Sequence, residues 1–293
     1  MDTCIITSGC SFSSSGIPGD GVFKSDAPRF YETSPENTEY ENDEGWVDMN
    51  LHPGKERSWN GHLFRQLNSE IPIYAVGKGG VGNDMICQSA MVNLEKHKSY
   101  KNRIAIIQLS GITRKSYYLT PGHNLWDFIN PQILENAELF SFDWSYIVDR
   151  SKENPSTSKE RGWMQATEVD IPGYDHFQNL IFDQHNLTHS FLHNVLLLQY
   201  YCKSNSIPLF FFFGWKQKFD IEEKDIKHMW DLIDLDNFIC LTDDIYDGMT
   251  EWSIKNVDED NRYNKYSEED LHPSDYVHMK VAEIIKDKIE GYL

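Results

Sequence analysis

Four short apolar runs constrain this chain more than any other feature: Cys4–Thr7, Ile71–Val76, Ile104–Leu109 and Ile207–Phe213. Each is the length of a strand and too short for a buried helix, and each ends in small or turn-forming residues. Between them, Trp59–Leu67, Met85–Leu94 and Phe182–Ser204 carry apolar residues at helical spacing. Strands without polar alternation are buried on both faces, which is the situation of parallel strands covered by helices. The pattern therefore predicts an α/β fold, a three-layer α/β/α sandwich around a mostly parallel sheet. A closing helix is expected over Ser274–Tyr292, with Val277, Val281, Ile284, Ile285 and Ile289 on one side. A helix over Ile221–Leu235, a strand at Phe238–Leu241 and an acidic loop over 243–268 complete the expected elements.

The 293 residues read as a single domain over 1–293 with two long insertions, at about 14–58 and 115–175. The first is rich in Ser, Gly, Pro, Asp, Glu and Asn, a surface composition. The second holds Tyr117, Tyr118, Trp126, Trp144, Tyr146 and Trp163, and is expected to pack onto the sheet or shape a pocket rim. A hydrophobic fraction of 40% and an aromatic fraction of 13% suffice for a sizeable core and exclude a largely disordered chain.

The formal net charge of -19 excludes two partner classes, nucleic acid and anionic membrane surfaces, because the field repels both. No run approaches the roughly 18 apolar residues of a membrane helix, and no basic-then-apolar leader opens the sequence. A cytoplasmic or virion-associated protein is expected. The five cysteines are odd in number and form no CxxC pair, so buried free thiols in a reducing compartment are expected, with Cys4 and Cys240 in apolar runs. His185, His189 and His193 recur every four residues, but on one helix, whereas metal sites usually draw ligands from separated segments. No metal and no cofactor are expected.

In a parallel sheet, ligands bind beyond the carboxyl ends of the strands. Three turns follow strand ends here, Ser8–Ser13, Gly77–Asp84 and Ser110–Arg114, and they should meet on one rim. Ser11, in the first turn, would project a hydroxyl over that rim. Such a hydroxyl needs a base to become a nucleophile. His272, in Glu269-Asp270-Leu271-His272-Pro273-Ser274, has acids two and three residues upstream that would orient and stabilise an imidazolium. Gly79, Gly80 and Gly82 would let backbone N–H groups approach an oxyanion.

The order of these motifs resembles that of the SGNH/GDSL hydrolases. That family carries a Ser in a Gly-Asp-Ser-like motif after strand one, a Gly after strand two, an Asn after strand three and an Asp/His pair before the last helix. The resemblance lies in Gly9-Cys10-Ser11-Phe12-Ser13, in Gly80 through Asn83, in Asp270-Leu271-His272-Pro273-Ser274, and in the Trp59–Leu67 segment. It does not cover 14–58 or 115–175. Cys10 stands where many members have Asp, as in a divergent Gly-Cys-Ser-Phe branch of phage and bacterial proteins. The third block, Gln108–Arg114, holds no Asn; Asn83, Ser110 and Thr113 are the candidates to replace its donor.

The resemblance implies an SGNH-hydrolase or flavodoxin-like sandwich and a serine esterase. Its catalytic residues would be Ser11, His272 and Asp270, with Glu269 as the alternative acid, and its oxyanion hole would use Gly80 and Asn83. A small-molecule or glycan ester is the implied substrate, O-acetyl groups on a carbohydrate among them. Acyl transfer to an acceptor other than water uses the same Ser–His chemistry and stays open. So does a non-catalytic descendant serving as a binding or virion-structural module, given the missing third-block Asn.

Overall fold

A computed structural model describes residues 2–10, 13, 19–23, 58–68, 70–77, 82–112, 114–119, 142–143, 162–166, 183–219, 221–263 and 272–293. Its centre is a five-stranded sheet. Strands β1 (Thr3–Gly9), β3 (Ile73–Gly77), β4 (Asn102–Leu109) and β8 (Leu209–Phe213) run parallel, and β2 (Gly19–Phe23) joins one edge antiparallel. The spatial order is β2-β3-β1-β4-β8. The four parallel strands are the four apolar runs. Residues 4–10, 104–110 and 209–213 are buried throughout, as expected of strands covered on both faces.

From β1 the chain passes through the edge strand β2 to β3 on one side, then crosses back to place β4 on the other side of β1. A reversal of this kind opens a crevice at the carboxyl ends of the two central strands, here β1 and β4. The register keeps those ends level: Gly9 lies opposite Gly77, and Ser8 opposite Ile107.

Four of the helices pack in two pairs. Helix α1 (Trp59–Gln66) packs on α7 (Asp275–Ile289), and α2 (Asn83–Lys96) packs on α3 (Gln184–Ser204). Local sequence starts three of them. Ser58, Asp183 and Ser274 each accept a bond from a backbone N–H three residues on, which satisfies a donor the first helical turn leaves open. Trp59 seats α1 in the core, its ring edge-on to Phe212 at 5.2 Å.

Several expectations differ from the structure. The helix expected over 221–235 is only α4 (Lys224–Trp230). Gln199 on α3 takes the Asp234 N–H at 2.9 Å and donates to the Leu232 carbonyl at 3.0 Å, capturing backbone groups that a longer helix would have used. The strand expected at 238–241 is a single bridge between Phe238 and Phe211. Cys240 beside it is exposed, whereas Cys4, Cys10, Cys87 and Cys202 are buried, and all five thiols are free. The acidic stretch contains α5 (Met249–Asn256) and α6 (Glu259–Arg262). Glu251 reaches back to the Gly248 N–H at 3.0 Å, so acidic residues here start a helix. The insertion at 14–58 supplies β2. That at 115–175 supplies a separate antiparallel sheet, β5 (Lys115–Leu119), β7 (Gly162–Ala166) and β6 (Phe142–Asp143) in that order. Among the described residues, no helix is long and apolar enough to cross a membrane.

Candidate active site

Ser11, Gly80, Glu269, Asp270 and Thr113 lie outside the described residues. Their chain neighbours Cys10, Ser13, Gly82, Ser110, Arg114 and His272 lie within them, and these define the framework.

Cys10 and Ser13 are both fully enclosed, and the Ser13 N–H donates to the Cys10 carbonyl at 2.9 Å. Gln108, the penultimate residue of β4, accepts three bonds at Oε1: from the Cys10 N–H at 3.2 Å, the Cys10 thiol at 3.2 Å and the Ser13 hydroxyl at 3.0 Å. Its Nε2 donates to the Leu109 carbonyl at 2.9 Å. Trp59 Nε1 donates to Ser13 Oγ at 3.1 Å, and Asn60 Nδ2 to the Ser13 carbonyl at 2.9 Å. Gly9 is required for this close approach, since a Cβ there would lie 2.8 Å from Ser13 Cβ and 2.9 Å from Gln108 Oε1.

Asn83, expected as an oxyanion donor, has a different task. Its Oδ1 accepts from the Ser110 N–H at 2.8 Å, and its Nδ2 donates to the Ser110 carbonyl at 2.9 Å and lies 3.4 Å from that of Gly111. With both polar atoms committed, the buried carboxamide clamps the start of α2 to the exit of β4. Ser110 is equally enclosed, its N–H held by Asn83. Gly111 next to it abuts the indole of Trp215, over which the Arg114 guanidinium sits 4.7 Å from the ring centroid.

The other end of the chain reaches α1. His272 is half-buried, and its Nε2 is shielded from solvent. The segment is pinned by a bridge between Pro273 and Tyr263, by the Ser274 N–H on the Arg262 carbonyl at 2.9 Å, and by the Ser274 hydroxyl on the Asn261 carbonyl at 2.5 Å. Helix α1 then ties this segment to the β1 turn. Trp59, His62 and Gln66 share one helical face. Trp59 reaches Ser13, His62 Nε2 meets Asp275 Oδ1 at 2.9 Å, and Gln66 Nε2 donates to the Met279 carbonyl at 3.2 Å.

Arg65 Nη2 lies 2.9 Å from His62 Nδ1. A guanidinium only donates, so Nδ1 is the acceptor and Nε2 donates to Asp275. Both ring nitrogens are occupied, so His62 is a link and not a second base. Behind it, His278 is fully buried, and neither of its ring nitrogens has a hydrogen-bond partner. Burial pushes its pKa down to about 3; His62 and His272 act in the same direction and Asp275 against it.

His185 pairs with Asp225 at 3.1 Å, while His189 and His193 face solvent. Among the described residues, no group of three or more His, Cys, Asp or Glu is placed to hold a metal ion. Gln108 and the His62–Asp275 pair had no part in the expected site. A lone polar residue inside the apolar run IAIIQL is the signal that marks Gln108; His62 carries none beyond its helical spacing from Trp59. Compared with family models, with curated proteins and with solved structures, the chain matches none.

Proposed function

We propose that this protein is a serine ester hydrolase of the SGNH type, a three-layer α/β/α sandwich with Ser11 as nucleophile, His272 as base and Asp270 orienting the imidazole. The observation that carries the reading is the double tether of α1. Through Trp59 it holds Ser13, two residues beyond Ser11 in the chain, and through His62 it holds Asp275, three residues beyond His272. Two segments some 260 positions apart in the chain are thereby tied to one helical face, and an α/β sheet of this strand order takes its ligand at the carboxyl ends of its central strands.

The chemistry follows. His272 takes the Ser11 proton as Oγ attacks the ester carbonyl. The tetrahedral oxyanion is met by the backbone N–H groups of Ser11 and Gly80, while Asn83 stiffens the adjoining rim. His272 then protonates the leaving alcohol, and a water that it deprotonates hydrolyses the acyl-enzyme. An oxyanion donor is worth about 3 kcal/mol, so the absent third-block Asn predicts a rate roughly a hundredfold below that of a site with the full set. Small acyl groups, such as acetyl on a neutral glycan, suit the acidic surface.

A fluorophosphonate probe tests this. Covalent labelling that maps to Ser11 and disappears in Ser11→Ala, with parallel loss of short-chain aryl ester hydrolysis, is the expected result. Native protein that takes no label, with hydrolysis unaltered in Ser11→Ala, overturns it in favour of a non-catalytic binding or virion-structural module. Release of acetate from acetylated sugars then defines the substrate.

A further inference from the structure

The geometry points to Gln108 as the positioning residue of the nucleophile turn, acting from β4 on the two residues that bracket Ser11–Phe12 in the chain. The inference rests on the reading of Ser11 as the nucleophile and adds a residue to that site.

A fully buried carboxamide in an apolar strand is costly unless each of its groups is bonded. That of Gln108 is bonded at both ends, and three of its four partners belong to the β1 turn. One carbonyl oxygen with two lone pairs receives three donors, so the Cys10 N–H, the Cys10 thiol and the Ser13 hydroxyl converge on a single point. The direction of the chain is settled by Trp59. Its indole N–H can only donate, so Ser13 Oγ accepts there and must give its own proton to Gln108. The sequence Trp59 N–H to Ser13 O–H to Gln108 Oε1 runs one way, and bonds in such a chain polarise one another.

The position matters as much as the bonding. Gln108 stands at the carboxyl end of β4, beside β1, where the strand order reverses. An apolar residue of similar size would pack there and leave the Cys10 N–H and the Ser13 hydroxyl without an acceptor in a dry site. The turn would then be free to shift. Displacement of a reacting group by about 1 Å costs on the order of a hundredfold in rate.

Saturation kinetics of fluorophosphonate labelling, combined with amide hydrogen exchange, test the role in the full-length chain. In Gln108→Leu, the limiting labelling rate should fall about a hundredfold with the half-saturating probe concentration unchanged. Gln108→Glu should recover part of that rate relative to wild type at pH 6 and less at pH 9, because only the protonated carboxyl supplies both the acceptor for the turn and the donor for the Leu109 carbonyl. Exchange of the amides in 8–13 should rise in Gln108→Leu while that of Leu209–Phe213 stays at the wild-type level. Wild-type labelling in Gln108→Leu overturns the role, as does a loss confined to half-saturation or a pH-independent rate ratio for Gln108→Glu. If native protein takes no label at Ser11, the esterase reading falls and exchange alone decides Gln108: a local rise upholds the tether, and an unchanged 8–13 segment overturns it.

Discussion

His62 on α1 donates from Nε2 to Oδ1 of Asp275, 2.9 Å away and 213 positions later in the chain, and accepts from Arg65 at its other nitrogen. The contact is a hydrogen bond to a carboxylate at the start of α7, where the helix dipole already favours negative charge. His62→Phe preserves the ring volume and removes the bond. It should destabilise the fold by about 1 kcal/mol, since Asp275 is half-exposed and regains water. Urea midpoints for both proteins measure it.

His278 makes the fold sensitive to acid. The unfolded chain takes up a proton on this residue near 6.5, whereas the folded protein holds it neutral down to about 3. Between these values the unfolded state binds more protons, so stability is undiminished above pH 6.5 and falls steadily as the pH drops toward 3. Replacement by an uncharged residue of similar size, His278→Met, should flatten that limb. Urea midpoints from pH 7 to pH 4 should converge or cross between the two proteins; parallel curves would exclude His278 as the cause.

Gly9→Ala should be among the most damaging single-methyl changes in the chain. The new Cβ would meet Ser13 and Gln108 in a region with no room to relax. A cost of about 2 kcal/mol or more is expected from overpacking, together with loss of fluorophosphonate labelling. A thermal melt and a labelling assay on the same sample report both effects.

Asp247 organises the loop after β8. Burial works to raise its carboxyl, but Lys216, Thr242 and Lys255 donate to it and hold it below the usual carboxylate value of 3.8. A carboxyl lowered on folding contributes stability above that value and loses it as the pH falls through the folded one. Asp247→Asn should therefore cost about 2 kcal/mol at pH 7, and the difference from wild type should shrink below pH 4. Denaturation followed at both pH values checks the sign.

The four central strands were legible in the sequence because burial on both faces admits only apolar residues, so each reads as an uninterrupted run. The long amphipathic helices were legible for the matching reason: one face must meet the core every three to four residues. The short helices α5 and α6 and the edge strand β2 were not, since their stability comes from neighbours and not from a periodic face. At the site, Ser11 and His272 stood out through their local motifs, whereas Gln108 looked like one residue of a strand and His62 like one residue of a helix.

What the sequence determined by itself is therefore the parallel α/β core, set by hydrophobic periodicity, a property of neighbours in the chain. What only the tertiary structure decided is which side chains meet at the rim. Gln108 faces Cys10 and Ser13 across 98 and 95 positions, and Asn83 closes on Ser110 instead of offering its amide to a ligand. Such partnerships depend on strand order and register, which bring together residues that no local pattern relates.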